Sequence, residues 1–404
     1  MANDTKIILK PNEEKEIAQG FPWVFDNEIS NLESLNDSVK DGDIIEVYSK
    51  KGAFLGSAVI NRNSKITLRM ISLLHKDKII SDIKSFWQKK ISDAVNMRRM
   101  FYKDSESYRL VFAEADLIPG FICERYVSDG NVYLVVQFLA LACEVFRDEI
   151  LSALTSLCKP YGIYERSDAA VREKEGLSQR SGWIGKVCSE VIQIEENGIK
   201  LNVDIARGQK TGYFLDQKFN RERIKMFCKG KRVLDTFTHT GAFGLNAFLG
   251  GAREVISCDI SEEAVSMVNK NIQLNKAESV VSCVCADVFD LLKKYEDEKQ
   301  KFDVIILDPP AFAKSASSVQ KAYGGYKEIN LRAMRLLNEG GILISCSCSH
   351  FFDENKFYSM LMHAAMDSHK KLQVLEKRGA GPDHPLLMGY PKSEYLKCAI
   401  CRVI

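Results

Sequence analysis

Residues 232–259 read RVLDTFTHTGAFGLNAFLGGAREVISCD. A short apolar run, Arg232–Asp235, leads into a loop of threonines and glycines. A second run, Glu254–Asp259, ends on another aspartate 24 residues after the first. Strand-like and helical runs go on alternating. Further strands are predicted at Val280–Cys285, Asp303–Asp308, Ile342–Ser347, Leu372–Glu376 and Tyr395–Val403, with helical stretches between most of them. After Asp259, Ser261 can cap a helix with Glu262 and Glu263 in its first turn and Val265, Val268 and Ile272 along one face. Repeated β–α units predict an α/β fold over residues 205–404, with a doubly wound, seven-stranded, parallel-type sheet.

Upstream the pattern changes. Residues 1–75 hold short alternating runs, IIEVYS, AFLGSAVI and KITLRMIS, separated by turn signals such as Lys51–Gly52. They predict a small β-barrel. Residues 76–204 mix a helix over 76–103, the strand-like runs YRLVFAEA, GFICERYV and NVYLVVQF, and a second helix around Glu144–Cys158. The run VIQIEENGIKLNVDI closes this α+β middle region. Asn197–Gly198 lies between its alternating halves and marks a hairpin, because both turn residues must adopt positive φ.

With 404 residues, 46% hydrophobic and 27% charged, the chain is too apolar for wholesale disorder. Its longest nearly apolar run, Val132–Cys143, contains Gln137 and falls short of the roughly 20 residues of a membrane span. The N-terminus lacks a secretory h-region, and the 12 cysteines follow no disulfide pattern, so a reducing cytoplasm is expected. The net charge of +2 is uneven: −2 over 1–75, −2 over 76–204 and +6 over 205–404. Residues 205–232 alone carry 9 basic and 2 acidic side chains, which suits an anionic partner, although a solvated helix face would look the same.

In a doubly wound sheet, ligands bind beyond the C-terminal strand ends. Four successive tips carry carboxylates: Asp235, Asp259, Asp287 and Asp308. Asp259, followed by Ile260, suits a ribose diol. Asp287 with Val288 suits an adenine edge. The first loop holds Phe237, Thr238, Thr240, Gly241 and Phe243 but no GxGxxG, so a pyrophosphate is poorly served. Carboxylates repel phosphates and suit a sulfonium and an amino group. S-adenosylmethionine therefore fits better than NAD. Each aspartate alone could equally be a helix cap; four on one sheet edge argue for a ligand.

The fourth strand ends in Asp308 and the fifth, GGILISCSCS, in Cys348. Neighbouring strands are about 4.8 Å apart, so a carboxylate and a thiol would face one cleft. That pair suits methylation of a pyrimidine carbon. A thiolate adds to C6, a group at N3 assists, and C5 becomes nucleophilic. Cys346 lies deeper on the same strand face and reads as core packing. Cys398–Cys401 is a lone CxxC whose thiols fall on opposite strand faces, so zinc is not expected. No other metal pattern is visible.

Several segments together resemble the RlmI-type 23S ribosomal RNA cytosine-C5 methyltransferases. They are GFPWVFDNEI (20–29), YERSDAAVREKEGL (164–177), GQKTGYFLDQKFNR (208–221), LDTFTHTGAFG (234–244), FDVIILDPPAFAKS (302–315), GGYKEIN (324–330), LNEGGILISCSCS (337–349) and DHP (383–385). The resemblance covers nearly the whole chain in order. It implies a PUA-like RNA-binding barrel at 1–75, an α+β middle domain at 76–204 and a class I methyltransferase domain at 205–404. It implies that Cys348 is the nucleophile and that Gln217 belongs to the segment closing over the methionine end of S-adenosylmethionine. It directs Lys210, Arg221, Lys314, Tyr326 and Lys327 towards RNA. Ala311 stands where relatives often have Lys, so that lysine is not essential here. The expected partners are large-subunit ribosomal RNA and, in a homodimer, a second copy of the chain. No membrane is expected. Rival readings are a purine N-methyltransferase on the same fold, in which Phe312 stacks on the base, and a non-catalytic RNA-binding protein. A nicotinamide oxidoreductase is disfavoured by the missing glycines.

Overall fold

The computed structural model describes residues 5–35, 37–313 and 315–404. Packing groups the chain into two compact units. The first comprises residues 1–191, 204–212 and 382–393; the second comprises 192–203, 213–381 and 394–404. The barrel and the α+β region, anticipated as separate at 1–75 and 76–204, thus share one unit. Residues 192–203 of the hairpin assigned to the middle region group with the second unit.

The first unit opens with β1 (Lys6–Ile8), α1 (Glu14–Ala18), β2 (Trp23–Val24), β3 (Ile44–Tyr48), β4 (Phe54–Ile60) and β5 (Leu68–Ser72). The strands form a five-stranded sheet in the order β1-β3-β4-β5-β2 around Ile7, Leu9, Val24, Ile45, Val47 and Leu68. The helix expected over 76–103 is broken into α2 (Lys76–Ile80) and α3 (Ile83–Arg99), and Asp82 caps the second. A second sheet holds β6 (Tyr108–Phe112), β7 (Phe121–Ser128), β8 (Asn131–Phe138), β9 (Gly162–Ser167) and β10 (Arg180–Ile184). Helices α4 (Leu141–Glu144) and α5 (Arg147–Cys158) interrupt it between β8 and β9.

The second unit begins within the hairpin of β11 (Val191–Glu196) and β12 (Ile199–Asp204), of which it holds residues 192–203. Asn197 and Gly198 have φ of +55° and +87°, the positive values that an Asn-Gly turn requires. Then follow α6 (Lys218–Ile224), β13 (Arg232–Thr236), α7 (Ala242–Leu249), β14 (Glu254–Asp259), α8 (Glu262–Leu274), β15 (Val281–Cys285), α9 (Val288–Asp297), β16 (Phe302–Leu307), α10 (Val319–Leu336), β17 (Leu337–Ser347), α11 (Glu354–Asp367), β18 (Leu372–Arg378) and β19 (Lys397–Val403). The sheet order is β15-β14-β13-β16-β17-β19-β18, with β19 antiparallel to both neighbours. The doubly wound sheet anticipated from the sequence is therefore present. The chain reverses direction across it between β13 and β16, which places the binding crevice at their C-terminal ends. The central strand β16, FDVIIL, reads as a nearly continuous apolar run because helices cover both its faces. Ser261 caps α8 as anticipated, its hydroxyl accepting the Ala264 amide at 3.2 Å.

Candidate active site

At the tip of β13, Asp235 is fully buried. Its Oδ2 accepts the Gly244 amide at 2.9 Å, the Ser257 hydroxyl at 3.3 Å and the Thr238 hydroxyl. These bonds tie the strand tip to the first turn of α7. Burial pushes the carboxyl up to about 6, against the pull of its hydrogen bonds. Its Oδ1 is buried and accepts no hydrogen bond among the described residues.

The loop from β13 to α7 places alternate residues in the left-handed region: Phe237 at +56°, His239 at +53° and Gly241 at +84°. For the two non-glycines this costs of order 1–3 kcal/mol each, so the surroundings must enforce it. They do. The Thr238 amide donates to the Cys258 carbonyl at 3.0 Å, Asn271 Nδ2 to the Thr240 carbonyl at 2.9 Å, and the His239 amide to Asp259 Oδ2 at 2.9 Å.

Asp259 also accepts the Ser261 amide at 3.1 Å. Each of its oxygens keeps a second acceptor position. Asp287 is the N-cap of α9, accepting the Phe289 amide at 2.7 Å. The cap reading is thus realised for Asp287, and Asp235 serves α7 in a similar way. Val288 does not present an apolar face at this edge. It is 3% exposed and packs with Leu234, Cys258 and Leu291 in the core. Ile260, 67% exposed beside Asp259, is the open apolar side chain there. Phe243 is buried within α7.

Asp308 and Cys348 follow β16 and β17, which pair in parallel with Leu307 opposite Ser345. Asp308 Oδ1 accepts from Gln217 Nε2 at 2.9 Å. Gln217 Oε1 accepts from Asn220 at 2.7 Å, and Asn220 Oδ1 from Arg378 Nε at 2.9 Å. A chain of side chains thus fixes the Asp308 carboxylate. Burial, with the like charge of Asp216, pushes Asp308 up to about 7. Cys348 is half-buried, and its Sγ lies 4.0 Å from the Pro309 carbonyl oxygen, so the thiol stands against the Asp308–Pro309 tip. Cys346 is fully buried opposite Cys398 in the β17–β19 pair, as core packing requires.

Among the residues directed towards RNA, two are spent inside the fold. Arg221 is 3% exposed and bidentate on Glu196 at 2.6 and 2.8 Å. Tyr326 is fully buried. It stacks on Phe352 with centroids 4.8 Å apart, and its hydroxyl accepts from Ser347 at 3.1 Å and the Phe312 amide at 3.3 Å. Lys327 is paired with Asp367 at 2.5 Å. Lys210 is exposed, at φ +54°. Lys314 lies outside the described residues. In the basic stretch 205–232, Arg223 pairs with Glu376, Arg232 with Glu254, and Lys225 donates to the Asn197 carbonyl, while Arg207, Lys210, Lys229 and Lys231 are exposed. Sequence reasoning overlooked Asn220 and Lys397. A lysine heading the apolar run Cys398–Cys401 was the available signal for the latter.

An S-adenosylmethionine-dependent methyltransferase family model matches residues 171–387. Ribosomal RNA large subunit methyltransferase I of Photobacterium profundum is 40% identical over 404 residues, 99% of this chain and 99% of that one. The chain belongs to the ribosomal RNA large subunit methyltransferase I family. The same-named protein of Aliivibrio fischeri strain MJ11 is 38% identical over 98% of this chain and 99% of its own. A PUA-like domain model matches residues 7–73, so the barrel is PUA-like. A solved S-adenosylmethionine-dependent methyltransferase of Streptococcus mutans superposes with a TM-score of 0.80 at 23% identity, over 99% of this chain and 100% of that one. A second methyltransferase, solved with SAH, gives a TM-score of 0.82 at 24% identity over the same shares. The family's fold is the class I methyltransferase fold with a PUA-like N-terminal domain, and its cofactor is S-adenosylmethionine.

Proposed function

We propose that this methyltransferase modifies large-subunit ribosomal RNA at C5 of a cytosine, with Cys348 as nucleophile. The observation that carries the reading is the Cys348 thiol standing against the tip that bears Asp308. The unpartnered Oδ1 of Asp235 suits the cofactor's amino group, and Asp259 with Ile260 suits its ribose. Gln217, Thr238, Thr240 and Gly241 would shape the remainder of that site, and Asp287 its adenine edge. S-adenosylmethionine supplies the methyl group when bound.

The chain's own residues do the rest. The Cys348 thiolate forms a bond to C6, and the C5–C6 π pair becomes available at C5. Asp308, near half protonated at neutral pH, donates to N3 and stabilises the adduct. Once C5 carries the methyl, loss of its proton returns the electron pair, the C6–S bond breaks and the thiolate is released. The PUA-like barrel would hold RNA. Free thiols throughout suit a reducing cytoplasm.

The test incubates the protein with methyl-labelled S-adenosylmethionine and unmodified large-subunit RNA, digests the RNA and identifies the labelled nucleoside. Labelled 5-methylcytidine, lost in Cys348→Ser, is expected. Methylated guanosine or adenosine would overturn the reading in favour of purine N-methylation.

A further inference from the structure

Strand β19 opens Lys397-Cys398-Ala399-Ile400-Cys401, a buried run with one cation at its head. Lys397 is 8% exposed. It pairs in register with Ser347, the residue before Cys348, and its Nζ donates to the carbonyl of Ser349, the residue after, at 2.7 Å. Lys397 is thus tied through its backbone to the residue before Cys348 and through its ammonium to the residue after, and the Lys397 and Cys348 side chains interact electrostatically. Burial pushes Lys397 down to about 8, while the Cys348 thiolate heads the groups that favour its charge. A buried ammonium needs a compensating anion, and a nucleophilic thiol needs a cation.

We propose that Lys397 is a positioning residue whose ammonium keeps the Cys348 thiol ionised. The proposal rests on the reading of Cys348 as the nucleophile. The other charged groups facing Lys397 are Asp353 and Glu354 at the start of α11 and Glu394 ahead of β19. Asp353 is also bound by Lys356 and Glu354 by Lys377, so neither belongs to Lys397 alone. On the thiol side, Tyr326 is a further titratable group that interacts with Cys348, and it interacts with Asp308 as well. A lysine that only braced the loop would leave the thiol's ionisation unchanged.

The experiment follows alkylation of Cys348 by neutral iodoacetamide against pH in the full chain, read by mass spectrometry of the Cys348 peptide. In Lys397→Met the midpoint should rise by about one to three units, the effect of removing one nearby opposite charge. Lys397→Arg should restore it. Turnover of Lys397→Met should fall most at low pH and recover partly as pH rises. An unchanged midpoint in folded Lys397→Met overturns the proposal. Should that variant fail to fold, the wild-type midpoint decides: at or above the ordinary cysteine value of about 8.5, the proposal fails. Failure of the underlying reading looks different. Cys348→Ser would keep its turnover while the alkylation shift in Lys397→Met persisted.

Discussion

Asp308 shows how one side chain's surroundings set its chemistry. A carboxyl at its ordinary value would be an anion at neutral pH and could not donate to a pyrimidine nitrogen. Burial and the nearby Asp216 raise Asp308 to about 7, so the donating form persists. The sign follows: the protonated fraction falls as pH rises through 7, and activity dependent on it should fall on that limb. Asp308→Asn should lower kcat roughly 10²–10⁴-fold and remove the limb. Gln217→Leu should move the limb upward without abolishing turnover, because the Gln217 hydrogen bond favours the carboxylate. A pH–rate profile of the three proteins checks both outcomes. A limb unmoved in Asp308→Asn would assign it to another group. The carboxylate at position 308 was legible in the sequence as a strand-tip residue. Its raised proton affinity was not, because that depends on burial in the folded chain and on Asp216, 92 residues earlier. Arg221 failed for a related reason. Its partner Glu196 lies in a hairpin, and a sequence does not distinguish a basic residue facing solvent from one facing a buried acid.

At the scale of elements, patterns spanning a few residues were readable. The Asn197–Gly198 turn, the Ser261 cap and the strands from β13 to β19 all follow from local signals. Close approach between elements was not readable, and Gly250 illustrates it. This residue ends α7, and a Cβ added there would sit 2.5 Å from the Lys225 carbonyl oxygen and 2.8 Å from its Cα. Neither is the tip of a flexible side chain, so the backbone after α6 would have to move. Gly324, inside α10, has nothing within 4 Å of such a Cβ. The same substitution should therefore have opposite signs. Gly250→Ala should cost about 1–3 kcal/mol, as overpacking does. Gly324→Ala should be neutral or stabilise by up to about 1 kcal/mol, through helix propensity. Thermal unfolding of both variants measures the difference. Equal melting temperatures would mean that α7 and the segment after α6 are not so tightly apposed.

At the scale of the molecule, the chain packs into two compact units and crosses between them more than once. Residues 382–393 illustrate the crossing. They follow the last helix of the C-terminal sheet, yet pack with the first unit, where the Asp383 carboxylate accepts the Arg109 amide at 2.8 Å. No local pattern announces such a return. Within the first unit, the barrel is fused to the α+β region through Arg69 of β5, which is 6% exposed. Its guanidinium reaches Glu114 at 3.1 Å and Glu175 at 2.7 Å. Trp23 also donates to Glu114, and Ser64 and Asn61 donate to Glu175. Arg69 holds the Glu175 carboxyl below its ordinary value against the opposing effect of burial. A depressed carboxyl contributes stability above its unfolded value and loses it as pH falls. Arg69→Met removes the cation and leaves two buried carboxylates, which should cost about 3–5 kcal/mol at neutral pH. In that variant only hydrogen bonds such as those from Ser64 and the Leu141 amide oppose burial, so the Glu175 carboxyl rises and its protonation relieves part of the cost. The gap in unfolding temperature between wild type and Arg69→Met should therefore be widest near pH 7–8 and narrow on acidification towards pH 5. Calorimetry across that range measures it. A gap independent of pH would mean that Arg69 acts by packing alone, with no electrostatic share in joining the barrel to its neighbour.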